Sequence, residues 1–160
     1  MLTCRILCIG KLKEEYWRRA CAEYQKRLTP FCRLQLVELD EERVPDRPSP
    51  AQLEAAVRQE GSRILQAVPA GSTLVSLCIE GIPFSSVQLS QTIEGWKNEG
   101  RADVSFAIGG SWGLSDAVKQ ASRLRLSMSA MTFPHQLARV MLLEQLYRAA
   151  QIAAGSKYHK

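Results

Sequence analysis

The chain has 160 residues, 46% of them hydrophobic and 23% charged, and carries a formal net charge of +5 at pH 7. That length fits a single domain over residues 1–160 with one core, and no stretch reaches the roughly 20 uninterrupted apolar residues of a membrane helix. Five cysteines (Cys4, Cys8, Cys21, Cys32 and Cys78) form no CxxC pair and have no histidine beside them, so they read as reduced core thiols and no metal site is expected.

In chain order the pattern alternates strand with helix. Residues 3–8 alternate apolar with polar side chains and predict a strand, not a signal peptide, and hence a cytoplasmic location. Residues 13–28 carry helical spacing up to Thr29 and Pro30, and residues 34–39 form a second strand. Residues 40–50 are charged and hold three prolines, which predicts a mobile surface loop, with Ser49 capping a helix over 51–67. A largely apolar strand over 73–79 is stopped by Glu80, Gly81 and Pro83. Ser85 then opens a helix to about residue 97, and a strand over 103–108 runs into Gly109 and Gly110. A helix over 114–122, a short strand over 124–128 and a last helix from Pro134 to near Gly155 complete the chain, with Thr132 in a capping position. Five strand-helix repeats imply an α/β fold with a mainly parallel sheet, helices on both faces, and ligands at the carboxyl ends of the strands.

The charge is unevenly spread. Residues 1–30 hold seven basic and three acidic side chains, residues 31–118 seven and twelve, and residues 119–160 seven and one. Two basic ends around an acidic middle suit a polyanionic partner met by both ends, or a solvated basic face.

The glycine-rich turn from Gly109 to Gly113 follows a buried strand, where glycines let the backbone come close to a ligand or simply turn tightly. It lacks GxGxxG spacing but satisfies GxSxG, so a serine hydrolase with Ser111 as nucleophile is the rival enzyme reading. Its triad would have to draw on His135 or His159 and on Asp116 or Glu144, and Asp116 lies on the helix directly after the turn. His135 opens the last helix, where it either acts on a ligand or covers the helix end. Arg148 stands four residues after Glu144, the spacing of an intrahelical ion pair. The tail joins Tyr158 and His159 to Lys157 and Lys160, a mixture able to stack on a base and meet phosphate, or to fray.

Taken together, FAIGGSWG at 106–113, LSMSAMTFPHQLAR at 126–139, EQLYRA at 144–149 and YHK at 158–160 resemble the RlmH methyltransferases. GKLK at 10–13 and EYQKR at 23–27 extend the resemblance over the whole chain. It implies transfer of a methyl group from S-adenosyl-L-methionine to N3 of a pseudouridine in large-subunit ribosomal RNA, on the ribosome. It further implies a SPOUT-type α/β knot, which topology rules would not anticipate, and a homodimer whose active sites each receive the other chain's tail. The implied cofactor positions are Leu77, Gly110, Ser129, Ala130, Met131, Thr132, Phe133 and Pro134. The implied catalytic residues are His135, Arg148, Tyr158 and His159, the last two from the partner chain. Arg148 is assigned to the developing carbonyl charge and one of the two histidines to the proton. Lys157 departs from the family, in which proline often precedes the Tyr-His pair, and this bears on tail rigidity. A basic RNA-binding module without catalysis is the third reading.

Overall fold

The computed structural model describes residues 1–159; Lys160, one of the tail's two cations, lies outside them. In chain order the elements are β1 (Leu2–Ile9), α1 (Glu15–Leu28), β2 (Cys32–Leu39), α2 (Pro50–Ala67) and β3 (Thr73–Pro83). They continue with α3 (Ser86–Asn98), β4 (Asp103–Ile108), α4 (Asp116–Ala121), β5 (Leu124–Ser127) and α5 (His135–Ala153). The strands form one sheet in the order β2-β1-β4-β3-β5, and every pairing between them is parallel.

Right-handed crossovers explain where the helices lie. The steps from β1 to β2 and from β3 to β4 go one way across the sheet and the other two go back, so α1 and α3 cover one face and α2 and α4 the other. Each strand feeds both faces by simple alternation. Cys4, Ile6 and Cys8 of β1 pack with α1, α3 and α5, whereas Leu7 and Ile9 pack with α2 and α4. Phe106 and Val75, both fully buried, lie at the centre of the first core. Four of the cysteine thiols are buried and unpaired, and burial pushes Cys8 up to about 12, which removes its nucleophilic form.

Three expectations from the sequence change. β3 does not stop at residue 79: after a register shift, Ile82 and Pro83 pair with Leu126 and Ser127 of β5. Gly81 permits this, because a Cβ there would stand 2.6 Å from the Arg125 carbonyl oxygen. The loop after β2 is tied down at its start. The Glu42 N–H donates to Glu60 of α2 at 2.9 Å, and Arg63 donates to the Asp40 carbonyl at 3.0 Å and to the Glu42 carboxylate at 2.5 Å. Finally, the residue at the N-cap of α5 is Pro134, without a side-chain cap, and not Thr132.

The last crossing sets up the site. From β5 at the sheet edge the chain returns over the carboxyl ends of β3 and β4 to begin α5, which packs between α1 and α3. Residues 128–134 make that crossing. No helix among the described residues is long and apolar enough to cross a membrane.

Candidate active site

A cleft of about 710 Å³ opens at the carboxyl ends of the strands. One wall is the end of β3 with Leu77, Cys78 and Glu80; a second is the turn from Gly109 to Leu114 without Trp112; the third is Met128 to His135 without Ala130. A smaller hollow of about 240 Å³ lies at the opposite end of the sheet between α1, α3 and α5, near Leu2, Phe31 and Ala150. The larger cleft is the functional candidate, because parallel sheets offer free backbone groups and helix mouths at that end.

Local backbone chemistry explains the glycine turn. Gly110 and Gly113 form an isolated antiparallel bridge, closed by a 3.2 Å bond from the Gly113 N–H to the Gly110 carbonyl. A Cβ on Gly109 would stand 2.5 Å from the Gly113 carbonyl carbon, and Gly113 itself has φ +82. The turn therefore needs glycine at both places. Gly110 has a different reason: its missing Cβ would point behind the turn, 3.0 Å from Ile9 and 3.6 Å from Glu60. One Glu60 oxygen is buried without a partner among the described residues, and burial, the first cause, raises this carboxyl above its ordinary pKa.

The crossing segment is held by its own serines. The Ser127 hydroxyl donates to the Ser129 carbonyl at 3.1 Å, and the Met131 N–H donates to the Ser129 hydroxyl at 3.0 Å. Ser129, Met131, Thr132, Phe133 and Pro134 all line the cleft, whereas Ala130 of the same segment does not. With no side chain capping α5, its first N–H groups have no side-chain acceptor among the described residues.

His135 stands at that helix mouth on the cleft wall. Burial first and Arg139 second push the imidazole below the ordinary histidine value, while Glu41 pulls it up. That shift favours the neutral imidazole, the form that can accept a proton. One turn further on, Arg139 is 2% exposed; it donates to Glu38 at 2.8 Å and to the Gly10 carbonyl at 3.3 Å. This fixes the start of α5 to the ends of β1 and β2.

Arg148 lies elsewhere. Thirteen residues along α5 from His135, it is about 20 Å away at the ordinary helical rise. Its guanidinium donates twice to Glu144, at 3.0 and 2.7 Å, and lies over the Tyr158 ring at 4.8 Å. The Tyr158 hydroxyl also donates to Glu144, at 3.2 Å, and its ring packs edge-on against Tyr147. The structure thus joins Arg148 with Tyr158 and leaves His135 with the cleft; His159 is exposed. Sequence reasoning placed Tyr24 within the EYQKR motif but gave it no role, although burial and then Glu144 push its hydroxyl up to about 12, and it missed Lys119, a cleft residue paired with Glu80. Nothing in its local sequence sets Lys119 apart.

The hydrolase reading loses its geometry here. Ser111 lacks the positive φ that marks a strained turn, since among the described residues only glycines adopt it. No hydrogen bond joins Ser111 to a histidine among the described residues, and Asp116 opens α4 on the far face of the sheet from His135. Nor does any group of three metal-binding side chains occur among the described residues.

A parallel α/β sheet, a glycine turn and an uncapped helix mouth around one cleft agree with the comparison against known families. A family model described as a predicted SPOUT methyltransferase matches residues 2–159. The chain therefore belongs to the SPOUT methyltransferases and is an S-adenosylmethionine-dependent methyltransferase.

Proposed function

We propose that this methyltransferase acts as RlmH-type enzymes do, on N3 of a pseudouridine in the large-subunit ribosomal RNA of the assembled ribosome, as a cytoplasmic homodimer. The observation that carries the reading is the segment from Ser129 to His135, which forms one wall of the cleft and ends on an imidazole that burial biases toward its neutral form. N3 of a pseudouridine is an imide nitrogen that must lose its proton to become nucleophilic, and a neutral histidine beside the cleft suits that task.

The cleft fits S-adenosylmethionine by size, since small-molecule sites run to roughly 300–1,000 Å³, and by its backbone-rich walls. Leu77, Gly110 and the stretch 129–134, Ala130 included, would hold the cofactor; when bound, it supplies an electrophilic methyl group. Arg148 would stabilise charge on the base carbonyl, and Tyr158 and His159 would bind the target nucleotide. About 20 Å separates His135 from Arg148 along one helix, so one chain does not unite them. A second copy, contributing its Arg148 and tail, would. The return of the chain across the ends of β3 and β4 is the route that a knotted SPOUT fold requires, and the reading includes that knot.

Thr132 lines the cleft and is exposed, so Thr132→Trp should fill the cleft without disturbing the core. Calorimetry should show S-adenosylmethionine binding to the wild type and a loss of at least about tenfold in the variant at unchanged Tm. A methylation assay on ribosomes lacking the modification then tests the substrate. Equal binding by both proteins would place the cofactor elsewhere, and transfer to a nucleotide other than pseudouridine would overturn the RlmH-type assignment.

A further inference from the structure

We propose that Glu41 is a positioning residue of this active site, its carboxylate facing His135 across the backbone of Gly10 and supporting that imidazole as the proton acceptor. The inference rests on the methyltransferase reading above. Its observation is geometric: the Glu41 Oε2 and the His135 Nε2 each stand 3.9 Å from the point a Cβ on Gly10 would occupy. Gly10 has φ +91, a conformation that favours glycine, and by carrying no side chain it leaves the space between the two groups open.

Glu41 is held there although it sits in a charged, proline-rich loop. The residues on either side of it are clamped to α2, Asp40 through Arg63 and Glu42 through both Glu60 and Arg63. The Gly10 N–H donates to the Leu39 carbonyl at 2.8 Å, which ties the glycine to the same end of β2. Among the described residues, few charged groups surround the imidazole. Arg139 faces it from its own helix and Glu41 from the β2–α2 connection. Arg139 is in turn answered by Glu38, which Lys11 also faces, and the turn after β1 brings the Gly10 backbone. Glu41 is therefore the carboxylate that opposes Arg139 at His135.

The reaction gives that carboxylate its task. The imide N–H bond breaks toward His135 and its electron pair stays on nitrogen to form the N–CH₃ bond. The S–CH₃ pair leaves with sulfur as a neutral thioether. The positive charge that the sulfonium brought thus ends as a proton on His135, beside Arg139, where an imidazolium is disfavoured unless a negative charge faces it. Glu41 supplies that charge.

The chain has two histidines, so a His159→Ala background leaves a single imidazole to follow by NMR. Glu41→Gln should move the titration of His135 down by roughly half a pH unit to one unit, with Glu41→Asp restoring most of it. In ribosome methylation, the acid limb of kcat/KM should move down by the same amount, and plateau kcat should fall roughly three- to tenfold. An unchanged titration overturns the pairing. A titration that moves while the acid limb stays put overturns the role of Glu41 in proton transfer. A wild type that binds S-adenosylmethionine yet methylates no ribosomal RNA overturns the functional reading and this role with it, whereas the titration still decides the pairing.

Discussion

At Glu60 a single buried carboxyl couples the loop, the glycine turn and the pH. One oxygen accepts the Glu42 N–H, the other has no partner among the described residues, and the side chain is 4% exposed. Burial raises its folded pKa, so the unfolded chain gives up this proton at a lower pH than the native one. Between those two values the native state binds more protons, and stability falls as pH rises above the usual carboxylate range. Glu60→Gln keeps an acceptor for Glu42 and removes the charge. Its stability relative to the wild type should therefore improve from pH 4 to pH 8. Urea unfolding at both pH values reads this, and a difference that does not change with pH would show that Glu60 is not strained by ionisation. The same side chain explains why Gly110 is a poor place to block the cleft: any side chain there presses on Ile9 and Glu60 behind the turn.

At the level of elements, α5 is the part on which the site depends, and its anchor is the pair Arg139–Glu38. Burial pushes Glu38 up, but the bonds from Arg139 and the Leu12 N–H outweigh it and hold the carboxyl below its ordinary pKa. The contribution of this pair is therefore present above the usual carboxylate range and is lost as pH falls through the folded value. Arg139→Met keeps apolar contact and strands Glu38. Breaking a buried pair costs about 3–5 kcal/mol, and Glu38, 35% exposed at its side chain, recovers part of that by hydration, so about 2–3 kcal/mol is expected. Cofactor affinity should fall as well, because the mouth of α5 loses its tie to Gly10. Chemical denaturation and calorimetry on one preparation test both, and normal affinity in a destabilised variant would separate the anchor from the site.

The elements themselves were largely legible in the sequence: all ten appear in order, and Ser49 and Ser85 cap α2 and α3 with full capping boxes. The misses share one cause. The longer β3, the pinned loop and the uncapped α5 each depend on a partner far away in sequence: β5, α2 and the cleft itself. Local propensity carries no signal for such contacts. Motif resemblance named Leu77, Gly110, the 129–134 stretch and His135. Gly10 and Glu41 belong to the same neighbourhood only because β1 and β2 are adjacent in the sheet, and no spacing along the chain shows that.

For the whole molecule, the decisive quantity is the distance along α5 between His135 and Arg148. If both act on one nucleotide, each site takes its imidazole from one chain and its guanidinium from another, related by a two-fold axis. His135→Ala and Arg148→Ala should each be inactive alone, because every site in either homodimer lacks one group. Unfolded together in equal amounts and refolded, half of the dimers are mixed, and each mixed dimer holds one site with both groups and one with neither. Activity should then return to about a quarter of the wild-type value. A site built within one chain gives no recovery at all, since each chain of the mixture still lacks one of its own groups. Co-refolding followed by ribosome methylation distinguishes the two, and sedimentation of the same sample shows that subunits have exchanged. Because Tyr158 contacts Arg148 in each chain, Tyr158→Ala should complement His135→Ala in the same way and fail to complement Arg148→Ala, as expected if arginine and tail enter the partner's site as one unit.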